Sequence, residues 1–311
     1  MKPFSIKAIF SIFILLGLLG WNYLRQCDGL FKKYEHELAV CAIFKNETPY
    51  LKEWIDYHHE ILGASKFYLY NNDSSDDYKA VLNPYIENGL VELIAWGSID
   101  EHAIDVEAIC KFPWDRYQIG AYTHCCKKLA LGKVRWLAVH DIDEYLVPTK
   151  DLKNFRKMLK SASRPNLKKF LKNPFKINRS LGCLKIHWLL FGTSRVWDLE
   201  PNQLLTDTLT FRAQDNYIGH VNTKCLYRPE AIDTCLIHNA YLKKNQYRSK
   251  DIPFTQCRIH HYITGTEKRF IEKRKPSTDQ YEAWQVNLNQ VEDQTLIQFR
   301  NKMTALERSR A

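Results

Sequence analysis

The chain has 311 residues, and its length and composition are those of a globular protein. Hydrophobic residues make up 45% and aromatic residues 13%, which is enough to build a buried core and excludes disordered and fibrous classes. Lys and Arg together number 45 against 35 Asp and Glu, a formal charge of +10. Such a balance suits contact with phosphates, anionic lipid or nucleic acid, and charge alone does not choose among them.

An apolar stretch stands near the N-terminus. It reads AIFSIFILLGLLGW over Ala8–Trp21 and continues to Leu24. We predict a membrane anchor here in preference to a signal peptide, because no small-residue cleavage site follows and Trp21 and Tyr23 suit a membrane interface. Residues 1–36 are therefore assigned to the anchor and its stem, with the orientation left open.

Strand and helix patterns alternate over residues 37–148. Apolar runs of strand length alternate with segments of helical spacing, which predicts a mostly parallel sheet. The predicted strands are Ala39–Phe44, Lys66–Tyr70, Val91–Trp96 and Val134–Val139, and the main predicted helices are Tyr50–Leu62 and about Tyr117–Ala130.

Polar clusters follow three of these strands. KNET (45–48) follows the first, NNDSSDD (71–77) the second and HDIDE (140–144) the fourth. Each cluster alone is ordinary loop chemistry. Because ligands of open parallel sheets bind at the carboxyl ends of the strands, the three together predict a ligand crevice.

The acidic cluster predicts a metal site. No glycine-rich phosphate loop occurs in the chain, so a phosphorylated ligand needs another counter-charge. Asp141 and Asp143 are two apart, so in an extended segment their carboxylates point to the same side and can share a divalent cation such as Mn²⁺ or Mg²⁺. The alternative is that Asp141 caps a turn while Asp143 and Glu144 form a solvated edge.

Nine cysteines occur without a CxxC pair or metal-ligand spacing, so no zinc module or disulfide scaffold is indicated. Cys41 and Cys125 lie in apolar runs and are predicted to be small buried hydrophobes.

Two further segments lie beyond the acidic cluster. The first, Lys150–Ser180, is rich in Lys and Arg with interleaved Leu and Phe. It is open to three interpretations: a nucleic-acid contact, an anionic membrane contact, or a solvated helical connection, of which we favour the last. The second, Tyr281–Arg308, has helical periodicity and is predicted to be one C-terminal helix.

Several segments, in matching order over about residues 38 to 278, resemble glycosyltransferase family 92, also called the DUF23 family. They are VCAIFKNETPYLKEWIDYHHEILGASKFYLYNNDSSD, WLAVHDIDEYLVP, IHWLLFGTS, HVNTKCLYRPE, IHNAYL and RIHHYITGTEKRFIEKRKPS. Two segments depart from the family pattern, HHYITGTEK (260–268) and FGTSRVWDLEPN (191–202), and both belong to the acceptor side.

The resemblance implies a GT-A-type α/β domain. Its Rossmann-like, mostly parallel nucleotide-sugar-binding half would span 37–148, a basic connection 149–180, a mixed acceptor half 181–280, and a C-terminal helix 281–311. The implied reaction transfers a hexose from a UDP-sugar to a glycan or glycolipid acceptor, with inversion at the anomeric carbon. Galactose is the first candidate for the hexose. No nucleic-acid partner is expected.

The resemblance also implies roles for particular residues. Asp141, Asp143 and His261 would hold Mn²⁺ or Mg²⁺. The nucleotide-sugar side would comprise Lys45, Asn46, Glu47, Asn72, Asp73 and Asp141, and the acceptor side Trp188, Gly192, His220 and Lys224. For His220, His261 and Trp188, an ordinary core role is the competing interpretation.

An inverting transfer needs a carboxylate that deprotonates the acceptor hydroxyl. Asp207 is the first candidate, ahead of Asp198. Two rival functions remain on the residues alone: a metal-dependent phosphohydrolase, which normally wants a larger two-metal cluster, and a non-enzymatic, basic, membrane-tethered binding module.

Three N-glycosylation sequons bear on the compartment. They lie at Asn46, Asn72 and Asn178, and the first two fall in the expected nucleotide loops, where a glycan would obstruct the site. Together with the odd cysteine count, this favours a single-pass protein of a bacterial inner membrane over one of a Golgi membrane.

Overall fold

The computed structural model describes residues 11, 13–18, 20, 33–97, 113–149, 151–162, 180–243 and 246–308. No helix within those ranges is long and apolar enough to cross a membrane. The anchor predicted over residues 1–36 and the basic connection predicted over 149–180 fall largely outside the described residues.

A nine-stranded mixed sheet organises the described part of the chain. Its strand order is β3-β2-β1-β4-β8-β6-β12-β5, with β11 paired beside β6. Two short antiparallel pairs, β9 with β10 and β7 with β13, lie outside it. The strands are β1 His36–Phe44, β2 Phe67–Asn71, β3 Val91–Ala95, β4 Val134–Val139, β5 Glu144–Pro148, β6 Ser180–Leu190, β7 Phe211–Arg212, β8 Thr223–Tyr227, β9 Ile232–Cys235, β10 Ala240–Leu242, β11 Tyr247–Asp251, β12 Cys257–His261 and β13 Val291–Glu292.

The first half of the sheet is parallel, as predicted. β1 pairs in parallel with β2 on one side and β4 on the other, and β2 pairs in parallel with β3. The central strand β1 is covered on both faces, which explains its continuous apolar run LAVCAIF. The four predicted strands are confirmed, three of them to within one residue, while β1 begins three residues before the predicted Ala39.

The second half is mixed. β8 pairs antiparallel with both β4 and β6, whereas β12 is parallel to β6 and antiparallel to β5. The predicted α/β fold class, a parallel half joined to a mixed half, is therefore confirmed. One boundary differs from the prediction, because β5 belongs by sequence to the first half but pairs with β12 at the far edge of the sheet.

Helices cover both faces. Their bounds are α1 Thr48–Asp56 with a π-helical turn at Tyr57–Ile61, α2 Tyr78–Glu87, α3 Pro113–His124 with a π-helical turn at Cys125–Leu129, α4 Leu152–Ala162, α5 Leu205–Thr208, α6 Glu267–Arg274, α7 Thr278–Leu288 and α8 Thr295–Arg308.

The single helix predicted over Tyr281–Arg308 is wrong. Two helices, α7 and α8, occupy this region, separated by β13. A capping box at Ser277 begins α7, and the side chain of Asp293 accepts a hydrogen bond from the backbone N–H of Thr295 at the start of α8. The apolar periodicity continues across the interruption, so periodicity alone does not reveal it.

Two clusters of buried side chains lie on the two faces. The larger includes Leu51 and Trp54 of α1, and the other is built around Tyr122 and Cys125 at α3. The seven cysteines of the described residues are all buried and none forms a disulfide there, so the prediction for Cys41 and Cys125 is confirmed. The sheet between these clusters carries the acidic segment at the carboxyl end of β4.

Candidate active site

A tight turn between β4 and β5 presents three acids, Asp141, Asp143 and Glu144, which we call the acid cluster. The backbone N–H of Glu144 donates to the carbonyl of Asp141 at 3.1 Å, and that of Tyr262 donates to the carbonyl of Asp143 at 2.9 Å. The indole of Trp54 donates to the carbonyl of Glu144 at 2.9 Å. A turn therefore places the two aspartates. The sequence had suggested instead that they alternate along an extended strand.

Asp141 is held by three donors. Its Oδ1 accepts from Gln118 at 2.7 Å and from Tyr122 at 2.9 Å, and its Oδ2 accepts from Lys224 at 2.9 Å. Burial opposes ionisation, but the Lys224 ammonium outweighs it and holds the pKa of Asp141 well below its usual range. About a third of the side chain stays exposed, 33%, so an ionised and oriented carboxylate remains accessible from solvent.

Asp143 stands beside His261. Its Oδ1 lies 3.6 Å from Nε2 of the histidine, and its Oδ2 lies 3.3 Å from the guanidinium of Arg269. Burial opposes ionisation of Asp143, yet the His261 ring and Arg269 keep its pKa below the ordinary value. Burial lowers the pKa of His261 to about 4, so the imidazole is neutral at pH 7.

Glu144 is fully buried behind this pair. Its Oε2 accepts from the backbone N–H of Asp141 at 2.9 Å, and its Oε1 lies 3.5 Å from Nδ1 of His261. Oε1 of Glu144 and Nδ1 of His261 are both buried without a hydrogen-bond partner among the described residues. Burial raises the pKa of Glu144 well above its usual range. A proton shared between Oε1 and Nδ1 would satisfy both atoms and leave Nε2 facing Asp143.

The residues fit a divalent cation in part. Within the described ranges, no three His, Cys, Asp or Glu side chains converge as a metal-binding group, so the predicted set of Asp141, Asp143 and His261 is not assembled as three equal ligands. Asp143 and His261 do present a carboxylate oxygen and a ring nitrogen 3.6 Å apart. Such a pair suits an ion that completes its shell with water and substrate phosphate.

The predicted nucleotide-side loops lie against each other. The side-chain oxygen of Asn46 accepts from the backbone N–H of Ser75 at 2.7 Å, and the hydroxyl of Ser74 accepts from the backbone N–H of Asn46 at 3.0 Å. Asn46 and Asp73 both adopt positive φ, 55° and 51°, which is an uncommon conformation that this bracing supports.

Glu47, Asp73, Lys45 and Asn72 differ in their surroundings. Glu47 accepts two hydrogen bonds from Arg269, at 2.5 and 3.1 Å. The carboxylate of Asp73 packs directly on Gly97, where a Cβ would lie 1.9 Å from it. Lys45 lines a groove described below, and Asn72 is half-buried next to the loop.

The residues predicted for the acceptor side separate into two groups. Lys224 and Trp188 lie at the site: Lys224 binds Asp141 of the acid cluster, and the Trp188 ring lies 4.4 Å from that of His261. His220 bonds to the backbone of Leu190 and Gln214, as a structural histidine does. Gly192 packs against the end of α7, where a Cβ would lie 2.6 Å from the carbonyl of Leu288.

The two candidate general bases are held elsewhere. Asp207 of α5 is exposed and forms an ion pair with Arg300 of α8. Asp198 is exposed and pairs with Lys268 at 2.7 Å. Neither has a hydrogen bond or ion pair to the acid cluster in the described part of the chain.

Three residues at the site escaped the sequence reasoning. Gln118 and Tyr122 are four apart on α3 and so share one helix face, a spacing that would have indicated a common target. Arg269 lies on α6, which follows β12 after a short turn. No local pattern distinguishes Arg269 from the other basic residues of that helix.

Comparison with known families identifies relatives of the chain. A model of glycosyltransferase family 92 matches residues 36–303. The chain belongs to this family. Family 92 proteins of Ricinus communis and Arabidopsis thaliana are 26% and 27% identical to it, over 79% and 82% of this chain. The alignments cover 38% and 40% of those proteins, so the family 92 chain described here spans about two fifths of the length of these relatives.

Among solved structures, the fold is similar to that of the mannosyltransferase PcManGT from Pyrobaculum calidifontis in complex with GDP-Man and Mn²⁺. The TM-score is 0.40 at 11% identity, covering 87% of this chain and 76% of that one. TarS of S. aureus in complex with UDP-GlcNAc gives 0.36 at 11% identity, covering 86% and 73%. Both likenesses are distant.

Proposed function

We propose that this family 92 chain is a metal-dependent, inverting glycosyltransferase. It transfers a hexose from a UDP-sugar to a glycan or glycolipid acceptor, and galactose is the first candidate for that hexose. The observation that carries the proposal is the pair Asp143–His261 beside the ionised Asp141, at the carboxyl end of β4. Ligands of open α/β sheets bind at this edge.

Asp143 and His261 would hold Mn²⁺ or Mg²⁺. When bound, such an ion acts as a Lewis acid towards the diphosphate leaving group. His261 suits this role because burial keeps its ring neutral, with a pKa of about 4, and a neutral nitrogen is a metal ligand. Arg269, 3.3 Å from Asp143, adds a permanent positive charge beside the place where the diphosphate would lie.

Asp141 has a different part in the proposal. Three donors fix its carboxylate, and a third of the side chain remains open to the crevice. A carboxylate has about four lone-pair sites, so one is left to accept a hydrogen bond from a hydroxyl of the donor. The braced loops at Asn46 and Asn72–Asp73 lie on the same edge and would face the nucleotide.

The general base of the transfer is proposed to be Asp207, with Asp198 second. A base acts on the acceptor hydroxyl and not on the nucleotide. Asp207→Asn should therefore retain UDP binding and lose transfer. Near wild-type turnover in that variant would move the role away from Asp207.

A titration of the protein with UDP, with and without Mn²⁺, tests the proposal. We expect UDP binding to depend on Mn²⁺ in the wild type and to lose that dependence in Asp143→Asn, because the neutral amide is a weaker ligand for a hard divalent ion than the carboxylate. A phosphohydrolase would consume UDP-sugar without an acceptor, and a non-enzymatic binding module would show no Mn²⁺-dependent UDP binding.

The membrane and the compartment are further proposals. The apolar run Ala8–Trp21 supports an anchor, and the sequons at Asn46 and Asn72 support a bacterial inner membrane over a Golgi membrane. A chain lacking residues 1–34 should leave the membrane fraction and keep UDP binding, since β1 begins at His36.

A further inference from the structure

A groove of about 860 Å³ opens beside the acid cluster. Three segments line it: residues 45–50 after β1, residues 198–203 of the loop that follows β6, and residues 266–273 at α6. The volume lies in the range of small-molecule and cofactor sites. The first segment carries Lys45, Asn46 and Glu47, which are assigned above to the nucleotide-sugar side, whereas residues 199–203 of the second segment have no role so far.

The charges of the groove balance. Its described lining contains four basic and four acidic side chains. Most of them are paired with each other: Glu47 with Arg269 and Lys273, and Asp198 with Lys268. A diphosphate or an acidic polymer would be attracted by a surplus of positive charge, whereas this lining offers donors and acceptors in equal measure, as a row of sugar hydroxyls requires.

The loop 193–203 is held in a strained shape. Ser194, Arg195 and Asn202 all adopt positive φ, between 52° and 70°, a conformation that costs energy for residues other than glycine. Outside contacts brace the loop: the backbone N–H groups of Glu267 and Lys268 donate to loop carbonyls at 2.9 and 3.0 Å. The loop therefore has a defined conformation and is fixed to the start of α6.

This loop displays an exposed aromatic ring one residue before Asp198, which lines the groove. Trp197 is 60% exposed. Its carbonyl accepts the hydrogen bond from Lys268, and its neighbour in the chain, Asp198, pairs with the same lysine. A large apolar ring held in solvent beside paired polar groups suits the C–H face of a sugar with hydroxyls around it.

We propose that the loop 193–203 and α6 form a binding subsite for a neutral, hydroxyl-rich stretch of the acceptor glycan, with Trp197 as its stacking platform. The proposal rests on the proposed function, whose acceptor class it narrows to uncharged oligosaccharide.

Arg269 connects the subsite to the reaction centre. Its guanidinium lies on the Tyr50 ring at 4.5 Å, binds Glu47 in the groove and reaches Asp143 of the acid cluster at 3.3 Å. A glycan in the groove therefore lies one side chain away from the acid cluster. Asp198 lines the groove, and Lys268 keeps its pKa below the usual range, so its carboxylate can accept a hydrogen bond from a sugar hydroxyl.

Binding of defined oligosaccharides to the full-length chain tests the proposal. The probes are cellotetraose, mannotetraose and galactotetraose, with tetragalacturonate as the anionic comparison, titrated by calorimetry in the presence of UDP and Mn²⁺. We expect at least one neutral probe to bind more tightly than tetragalacturonate. Trp197→Ala should weaken that binding about tenfold, and Trp197→Phe less, because a smaller ring remains.

Tyr241→Ala is the matched control, because Tyr241 is another exposed aromatic residue, 52% exposed, on β10, a strand that contributes no residue to the groove lining. It should leave the affinity unchanged. The proposal is overturned if no neutral probe binds, if tetragalacturonate binds best, or if Trp197→Ala binds as the wild type does. If any of these results is found together with Mn²⁺-dependent UDP binding, the transferase proposal stands. If oligosaccharides bind as expected but UDP binding does not depend on Mn²⁺, only the transferase proposal is contradicted.

Discussion

The acid cluster and the groove share Arg269 but use charge in opposite settings. In the cluster, Lys224 and Glu144 are almost wholly enclosed, with side-chain exposures of 1% and 0%. In the groove, Lys268 and Asp198 are 45% and 43% exposed. A buried charge without its partner is costly, whereas water replaces the partner of an exposed one. The cluster is therefore fixed by its own ion pairs, while the groove can exchange its pairs for a ligand.

The largest effect is expected from Lys224→Met. It removes the ammonium that lies 2.9 Å from Asp141 and 3.5 Å from Glu144, and leaves the ionised Asp141 without its counter-charge. We expect the free energy of unfolding to fall by about 3–5 kcal/mol, measured by urea denaturation. Adding Asp141→Asn should restore part of the loss. Wild-type stability in the single variant would mean that the cluster does not depend on this pair.

The next effect concerns Glu144 and His261. Glu144 faces Nδ1 of His261 at 3.5 Å, and a partner of this kind fixes the tautomer of a metal-binding histidine. Glu144→Leu should weaken Mn²⁺ binding in the presence of UDP by about 100-fold, and Glu144→Gln by about tenfold, because an amide oxygen still accepts the Nδ1 proton. Equal Mn²⁺ affinity in Glu144→Leu and the wild type would assign the orientation of His261 to other contacts, such as Trp188.

A change of pH is expected to have a smaller effect on the free energy of unfolding, through the buried residue His58. His58 donates from Nδ1 to the carbonyl of Trp54 at 2.7 Å, and its Nε2 accepts from the backbone N–H of Leu146 at 3.4 Å. The second bond needs the neutral ring, because a protonated Nε2 carries a hydrogen and cannot accept. Burial and the nearby His140 lower the pKa of His58 well below 6.5.

The sign follows from linkage. The unfolded chain takes up a proton on His58 below pH 6.5 and the folded chain resists it, so the stabilisation is complete above pH 6.5 and is lost as the pH falls. Each pH unit below 6.5 should cost about 1.4 kcal/mol of unfolding free energy. Urea denaturation at pH 7.5 and 5.5 measures this, and His58→Gln should have a smaller slope. An unchanged slope in that variant would show that His58 does not titrate in this range.

The sequence predicted the parallel half of the sheet well because its strands carry local signals. Apolar runs such as LAVCAIF and polar exits such as HDIDE are readable without a partner, and they placed Asp141 and Asp143 at the correct edge. His261 was linked to them only through the family resemblance. Lys224 is 80 residues or more from the acids in the chain and is matched to them by antiparallel pairing of β8 with β4, which no local pattern encodes.

The same limit explains the break in the C-terminal helix and the groove. β13 forms because it pairs with β7, about 80 residues earlier in the chain. The groove joins segments from residues 45, 198 and 266, and its loop is shaped by positive φ at Ser194, Arg195 and Asn202. Such conformations are stabilised by contacts between distant segments, which a local pattern does not reveal. From the sequence, Asp198 was therefore predicted only as a candidate base and not as part of a groove.

The smallest effect on stability, and the sharpest test of the comparison, is expected from Lys268→Met. Its exposed pair with Asp198 should contribute little to folding, because water and salt screen it on both sides. The thermal midpoint should therefore stay near that of the wild type, in contrast to the fall in Lys224→Met. Oligosaccharide affinity should still drop, because the lysine is one of the donors of the groove and orients Asp198. A clear loss of stability in Lys268→Met would show that the groove pairs support the fold as the buried ones do, and the distinction between a fixed cluster and an exchangeable groove would then fail.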